Sequence, residues 1–478
     1  MSLLPSFIGG VFTPSASSTW VPSLNPSDLS EEVARVPEGA AEDVALAVAQ
    51  AVEAQARWTA VPGPGKAEVL NRWAAVIQGH LEELAQLMAR EVGKPITEAR
   101  GEAGRAVAIL RYYAGEAVRE SGEVVPSQLA DTLQFSLRGP VGVVGLVTPW
   151  NFPLAIPLWK AAPALAFGNA VVLKPSELSS ACADFLARTA QEAQVPAGLF
   201  NVVHGLGRTV GEALLNHPQV RALSFTGSAA VGARVVQAAS ARNARFQTEM
   251  GGKNAALVLA DADLDRAAAL VCGGAMRFAG QKCTATSRVI VERKALEPFL
   301  AKLQTQLEAQ VLGSVTDPAC TIGPLIREES RANALRLLET CGPTILAGGK
   351  AVTEGDFGKG LFLQPTLVTG VTPDSPLAVE ELFAPVLVVL PAEDLDEAIA
   401  LANGSAFGLS AALFTRDLSA ALRYVRRIDA GLVRVNGDTT GVDPHAPFGG
   451  VKGSSSGTRE QGRAAREFYT ETRTIQIT

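Results

Sequence analysis

Cys283 sits in the polar run Phe278-Ala279-Gly280-Gln281-Lys282-Cys283-Thr284-Ala285-Thr286-Ser287-Arg288, and Glu249 lies upstream in Thr248-Glu249-Met250-Gly251-Gly252-Lys253-Asn254. A thiol nucleophile paired with a carboxylate base can oxidise an aldehyde by way of a thioester. A lone cysteine is ordinarily a small buried hydrophobe. The polar surroundings argue for a reactive one, and the adjacent Lys282 is expected to favour its thiolate. Asn151 lies in Pro149-Trp150-Asn151-Phe152-Pro153. An amide held this rigidly can donate to a developing oxyanion.

Two other stretches bear on a dinucleotide. Phe225-Thr226-Gly227-Ser228-Ala229-Ala230-Val231-Gly232 follows a strand-like run and opens a helical one. Glycines at such a turn let backbone approach a pyrophosphate, although the spacing is not GxGxxG. Lys174-Pro175-Ser176-Glu177 ends another strand-like run. Lys174 and Glu177 can hydrogen-bond ribose hydroxyls there, and the carboxylate would repel a 2′-phosphate, favouring NAD over NADP.

These residues must be held by a sizeable fold. At 478 residues the chain is long enough for two or three domains. A net charge of -6, with no basic run, argues against a nucleic-acid partner. Cys182, Cys272, Cys283, Cys320 and Cys341 show no CxxC pair, which favours free thiols in a reducing, cytoplasmic setting. His80, His204, His217 and His445 form no ligand pattern, so no metal is expected. The start of the chain does not read as a signal peptide. Val141 to Trp159 carries no charge, but its prolines speak against a membrane helix. It reads as a buried strand, Val141–Val147, running into an irregular loop.

Apolar spacing predicts amphipathic helices over roughly Ala41–Ala60 and Lys66–Val92, the second ended by Gly93-Lys94-Pro95. Val44, Leu46, Val48, Val52 and Trp58 form the first apolar stripe. Strand-like runs at Gly142–Val147, Ala170–Leu173, Phe200–Val203 and Ala222–Phe225 alternate with helical runs at Leu178–Ala193 and Arg208–Leu215, the signature of a parallel α/β sheet. A second series follows Glu249: Ala255–Leu259, Arg288–Val291, Val386–Leu390, Ala412–Phe414 and Leu432–Asn436. Two α/β domains in series are expected, with a boundary near Glu249. Thr132–Arg138 and Thr472–Ile477 alternate as half-exposed strands do. They are expected to form a small sheet shared between subunits or a surface hairpin.

Taken together and in order, these motifs, with Glu381-Leu382-Phe383 and Pro447-Phe448-Gly449-Gly450, resemble the NAD(P)-dependent aldehyde dehydrogenase superfamily over essentially the whole chain. The resemblance implies an α/β fold with a Rossmann-type cofactor domain (1–120 and 140–249) and a catalytic domain (250–437). It further implies oligomerisation strands (121–139 and 460–478), a loop closing the substrate site (438–459), and a homodimer or homotetramer. By the same resemblance Cys283 is the nucleophile, Glu249 the general base and Asn151 the oxyanion donor. Trp150, Lys174, Glu177, Gly207, Phe225, Gly227, Ser228, Gly232, Glu381 and Phe383 would meet the cofactor. The family usually has Gly where this chain has Ala384, whose methyl could narrow the nicotinamide approach. Relatives that pass the acyl group to coenzyme A generally lack the glutamate, so its presence favours hydrolysis.

Substrate selection rests on fewer residues. Arg277 matches the arginine that grips the far carboxylate in the succinic-semialdehyde branch, while the second arginine of that branch falls at Trp159. The stretches Ile156–Lys160, Gly280–Arg288 and Val442–Gly450 look more like 2,5-dioxopentanoate dehydrogenases. The expected substrate-binding residues are Arg277, Trp159 and Phe448, and the expected substrate is an acidic semialdehyde. An enzyme for neutral or aromatic aldehydes and a non-catalytic descendant of the fold are the alternatives.

Overall fold

The computed structural model describes residues 3–478. The apolar runs before Glu249 form most of one sheet of eight strands, to which Ser455–Gly457 adds the last. Its parallel strands lie in space as Phe200–Val202, Ala170–Lys174, Val143–Val147, Val220–Thr226 and Arg245–Glu249. In chain order that is third, second, first, fourth, fifth, the first five strands of the dinucleotide-binding order. Strands buried on both faces read as continuous apolar runs, as Ala170–Lys174 does. Each Val or Leu buried there contributes about 1.5–3 kcal/mol.

The runs after Glu249 form a seven-stranded sheet, with Asn254–Val258 between Thr286–Glu292 and Ser410–Phe414. Two separate hydrophobic cores accompany the sheets, one drawn mostly from residues before Glu249 and one from Ala255 to Tyr424. The first core also takes Ala465, Phe468 and Tyr469 from near the C-terminus.

Several local expectations are corrected. The helix expected over 66–92 is two helices, Gly63–Gly79 and Leu81–Val92, parted at His80 (φ -108°, ψ 16°). Leu46 faces solvent instead of the core. A long helix, Ile96–Glu116, follows Pro95 and packs on Gly63–Gly79 and Leu81–Val92. Beyond the strand Val143–Val147 and a short loop, the chain forms the helix Ala155–Ala166. Pro157 falls in its first turn, where no donor is needed, so only Pro163 interrupts the ladder.

Leu133–Pro140 and Thr470–Ile477 pair antiparallel along their whole length, and Val124–Val125 completes a three-stranded sheet. Val124, Leu133 and Ile477 leave much apolar surface exposed on it. The 438–459 segment is not only loop. Val451–Lys452 pairs with Phe407–Gly408, and Ser455–Gly457 adds an antiparallel edge to Arg245–Glu249. No helix among the described residues is long and apolar enough to cross a membrane.

Candidate active site

The carboxyl ends of Val143–Val147 and Val220–Thr226 adjoin where the strand order reverses, the place where open α/β sheets bind ligands. Pro149, Trp150 and Asn151 follow the first strand, and Gly227 and Ser228 follow the second. They line a cavity of about 220 Å³ together with Thr226, Met250, Gly251, Cys283, Glu381 and Phe383.

Its second wall is a turn. Phe278, Ala279 and Gly280 are all left-handed, with φ of 54°, 52° and 69°. Such backbone is costly for the two side-chain-bearing residues and persists only where neighbours fix it. A Cβ on Gly280 would stand 2.5 Å from the Ala384 carbonyl oxygen, so only glycine fits. Gln281 fixes the turn: its Nε2 donates to the Pro324 carbonyl at 3.1 Å, and its Oε1 accepts from Ile326 N–H at 2.9 Å. Asn254 Nδ2 donates to the carbonyls of Cys283 and Ala285, both at 2.8 Å. Ala384 itself is not among the cavity's lining residues.

Asn151 is buried and donates from Nδ2 to the Gln281 carbonyl at 3.0 Å. This holds the amide across the cleft and leaves its second N–H for a substrate oxygen. Its loop is clamped from the helix Ile96–Glu116. Lys94 pairs with Glu102 and donates to the Asn151 carbonyl at 2.6 Å, while Glu102 Oε1 accepts from the N–H groups of Leu154 and Ala155.

The charge around Cys283 differs from expectation. Lys282 turns away to pair with Glu98 at 2.5 Å. Burial pushes the Cys283 thiol up to about 12, and the charges of Glu381 and Glu249 add to that. The N–H groups of Thr284 and Cys283 oppose the rise by donating toward the sulfur.

Glu249 ends the strand Arg245–Glu249 and is buried, but it does not line the cavity. Its Oε2 accepts from Ser455 Oγ at 2.6 Å, and its Oε1 has no partner among the described residues. Burial and the neighbouring Glu460 carboxylate hold its carboxyl well above the usual range, against the pull of Ser455, Lys160 and Arg459. Glu460 is itself buried and accepts from Trp159 Nε1 at 2.8 Å and Gln247 Nε2 at 2.9 Å, and it pairs with Lys160.

Sequence reasoning missed Ser455, Glu460 and Lys160. Lys160 had a signal: it is the one charge in the helix Ala155–Ala166. Ser455 reaches Glu249 through long-range strand pairing, and Glu460 through a turn bridged to Phe448, neither of which a local pattern reveals.

The expected cofactor residues fall in three groups. Trp150, Gly227, Ser228, Glu381 and Phe383 line the cavity. Phe383 packs edge-on against Trp150 at 5.8 Å, and Gly252 N–H donates to Glu381 at 3.0 Å. Burial lifts the Glu381 carboxyl to about 7, opposed by that N–H and by Lys253. Lys174 and Glu177 pair at 3.6 Å at the end of their strand, and Arg327 also donates to Glu177 at 2.5 Å. Phe225 and Gly232 are buried behind the turn, whereas Gly207 is exposed on another turn. A nucleotide fits this surface. The Gly227 turn and Ser228 open the helix Ala229–Ala241, and the buried hydroxyl of Thr226 has no partner among the described residues.

Of the expected substrate residues, Phe448 joins Leu409 and Leu432 in a small cluster against which Cys283 packs, and Trp159 lies against Phe448 with centroids 5.4 Å apart. Arg277 stands apart: its side chain is 54% exposed and faces Asp438 at 3.9 Å.

Comparison with known proteins bears on the family and the fold. Residues 12–475 match the model of the aldehyde dehydrogenase family. The chain is 44% identical to the alpha-ketoglutaric semialdehyde dehydrogenase of Bacillus subtilis, covering 99% of this chain and 97% of that protein. It is 39% identical to the alpha-ketoglutarate semialdehyde dehydrogenase of Haloferax volcanii, covering 98% of each. The crystal structure of an NAD-dependent aldehyde dehydrogenase from Sinorhizobium meliloti superposes with a TM-score of 0.96 at 36% identity, covering 100% of this chain and 95% of that one. The chain belongs to the aldehyde dehydrogenase family.

Proposed function

We propose that this protein oxidises an acidic semialdehyde, 2,5-dioxopentanoate or a close analogue, to the dicarboxylate with NAD, NADP being less favoured. The observation that carries the reading is the convergence of Cys283 and Asn151 on one cavity, with Glu249 close behind. The substrate class is supported by the names of the relatives from Bacillus subtilis and Haloferax volcanii.

Cys283 Sγ attacks the aldehyde carbon. The thiol is pushed up to about 12, so it must release its proton to solvent as it attacks. The second N–H of Asn151 and the N–H of Cys283 hold the resulting oxyanion. The bound nicotinamide supplies the hydride acceptor. Trp150, Glu381 and Phe383 position it, while Lys174 and Glu177 hold the adenosine ribose. The same donors then hold the thioester carbonyl. Glu249 takes a proton from the attacking water, and the carboxylate and the thiol are released.

The Trp159–Phe448 wall also suits an aromatic aldehyde, which is the second reading. The apolar face of the three-stranded sheet supports a homodimer or homotetramer, with residues 121–139 and 460–478 as its contacts. Cofactor reduction should be followed with NAD and NADP on 2,5-dioxopentanoate, succinic semialdehyde, a medium-chain aldehyde and benzaldehyde. Strongest turnover on the two acidic substrates with NAD is the expected result. Turnover on neutral aldehydes alone would keep the chemistry and discard the acidic substrate.

A further inference from the structure

An acidic substrate needs a cation beyond the reacting carbon, and Arg277 is poorly placed to be it. Its side chain is about half exposed and its guanidinium already faces Asp438. We infer that Arg105, oriented by Gln461, receives the far carboxylate; this rests on the acidic-semialdehyde reading above.

Arg105 projects from the helix Ile96–Glu116, and its Cζ lies 6.0 Å from the centroid of the Trp159 ring. Trp159 packs on Phe448, and Phe448 belongs with Leu409 and Leu432 to the small cluster against which Cys283 packs. One aromatic wall therefore leads from the nucleophile to the guanidinium. An ω-oxo carboxylate laid along that wall would put its aldehyde at the thiol and its charge at Arg105.

The guanidinium is under-used where it stands. Among the described residues its only hydrogen bond runs from Nη2 to Gln461 Oε1 at 3.3 Å. Its Nε is buried without an acceptor, and it makes no ion pair among the described residues. The nearby acids are committed elsewhere. Glu102 serves Lys94 and the N–H groups of Leu154 and Ala155. Glu460 serves Trp159, Lys160, Ser224 and Gln247. Asp443 is exposed on the neighbouring loop. Burial pulls the Arg105 pKa down, but arginine stays charged at any working pH.

Gln461 shows the same deficit. It is 1% exposed, and its Nε2 has no acceptor among the described residues. Its backbone is left-handed, with φ of 58°, a strain found where surroundings over-determine a residue. Accepting from Arg105 fixes which end of the amide is oxygen. A half-buried guanidinium and a buried amide thus adjoin with donors unspent. A carboxylate offers two oxygens to such a pair, whereas a neutral aldehyde tail offers none.

The test is the ratio of kcat/KM for succinic semialdehyde to that for butanal, which match in chain length and differ in charge. It should be measured in the wild-type protein and in Arg105→Leu, Arg105→Lys and Arg277→Ala. The ratio should fall by roughly 10- to 100-fold in Arg105→Leu, the worth of a charged hydrogen bond. It should fall less in Arg105→Lys, which keeps the charge and loses the fork, and less again in Arg277→Ala. A wild-type protein with no preference for the acid would overturn the acidic-substrate reading and this one with it. A preferring wild type whose Arg105→Leu variant keeps the ratio would overturn the Arg105 role alone. Equal loss on both substrates would make Arg105 structural, and a larger fall in Arg277→Ala would return the carboxylate to Arg277.

Discussion

Asn151 and Glu249 approach the cleft from one sheet, Cys283 and Glu381 from the other, and the two sheets present opposite ends. The first offers the carboxyl ends of Val143–Val147 and Arg245–Glu249. The second offers loops that precede Thr286–Glu292 and Val386–Ala392. Strand ends are fixed by the hydrogen-bond ladder. The loop before Thr286 is fixed instead by a left-handed turn and by side chains, Gln281 and Asn254, that clamp its backbone. One wall is thus positioned by topology and the other by local strain under restraint. The nucleophile stands on the wall whose placement depends on fewer, individually replaceable contacts.

The largest break in this arrangement is removal of the nucleophile. Cys283→Ala should lower turnover by at least about a thousand-fold while leaving cofactor binding intact, as fluorescence quenching by NAD would show. Asn151→Ala should lower kcat by roughly 100- to 1000-fold with a smaller change in KM. Gly280→Ala tests the strained wall. It places a Cβ 2.5 Å from the Ala384 carbonyl at a φ of 69°. It should cost about 1–3 kcal/mol in a denaturant titration and lower kcat more than any alanine placed on Gly207, which has open space around it.

A smaller effect should come from pH. The Glu249 carboxyl is held above the usual range, so it stays protonated where an ordinary carboxylate is already ionised. Turnover should therefore fall as pH drops through that raised value. Ser455→Ala removes a hydrogen bond that favours the ionised form, so the acid limb of the kcat–pH profile should move to higher pH. The smallest effect is cofactor choice. Glu177→Gln should narrow the NAD-to-NADP ratio of kcat/KM, because Lys174 and Arg327 would remain to meet a 2′-phosphate.

The two walls also differ in how far they could be read from sequence. Strands such as Ala170–Lys174 are buried on both faces, so their apolar runs announce them. Pro149-Trp150-Asn151-Phe152-Pro153 and Phe225-Thr226-Gly227-Ser228 follow such runs, and their place at the strand ends was legible. The helix Ala155–Ala166 was not, because its prolines mask it until their positions in the turns are known. The electrostatics of Cys283 were misread because adjacency along the chain is not adjacency in space: Lys282 reaches Glu98 instead. Ser455 and Glu460 act on Glu249 only after the chain has returned to the edge of the first sheet. Arg277 stands out only through its match to the succinic-semialdehyde branch, and such a match does not tell which way a side chain on a turn points.

The most direct test of the covalent account is intact-protein mass spectrometry of wild type and Glu249→Gln after mixing with succinic semialdehyde and NAD. The account predicts one burst of NADH and an acyl adduct on Cys283 in Glu249→Gln, with steady turnover and little adduct in wild type. Steady turnover in Glu249→Gln without an adduct, or an adduct on any residue other than Cys283, would contradict it.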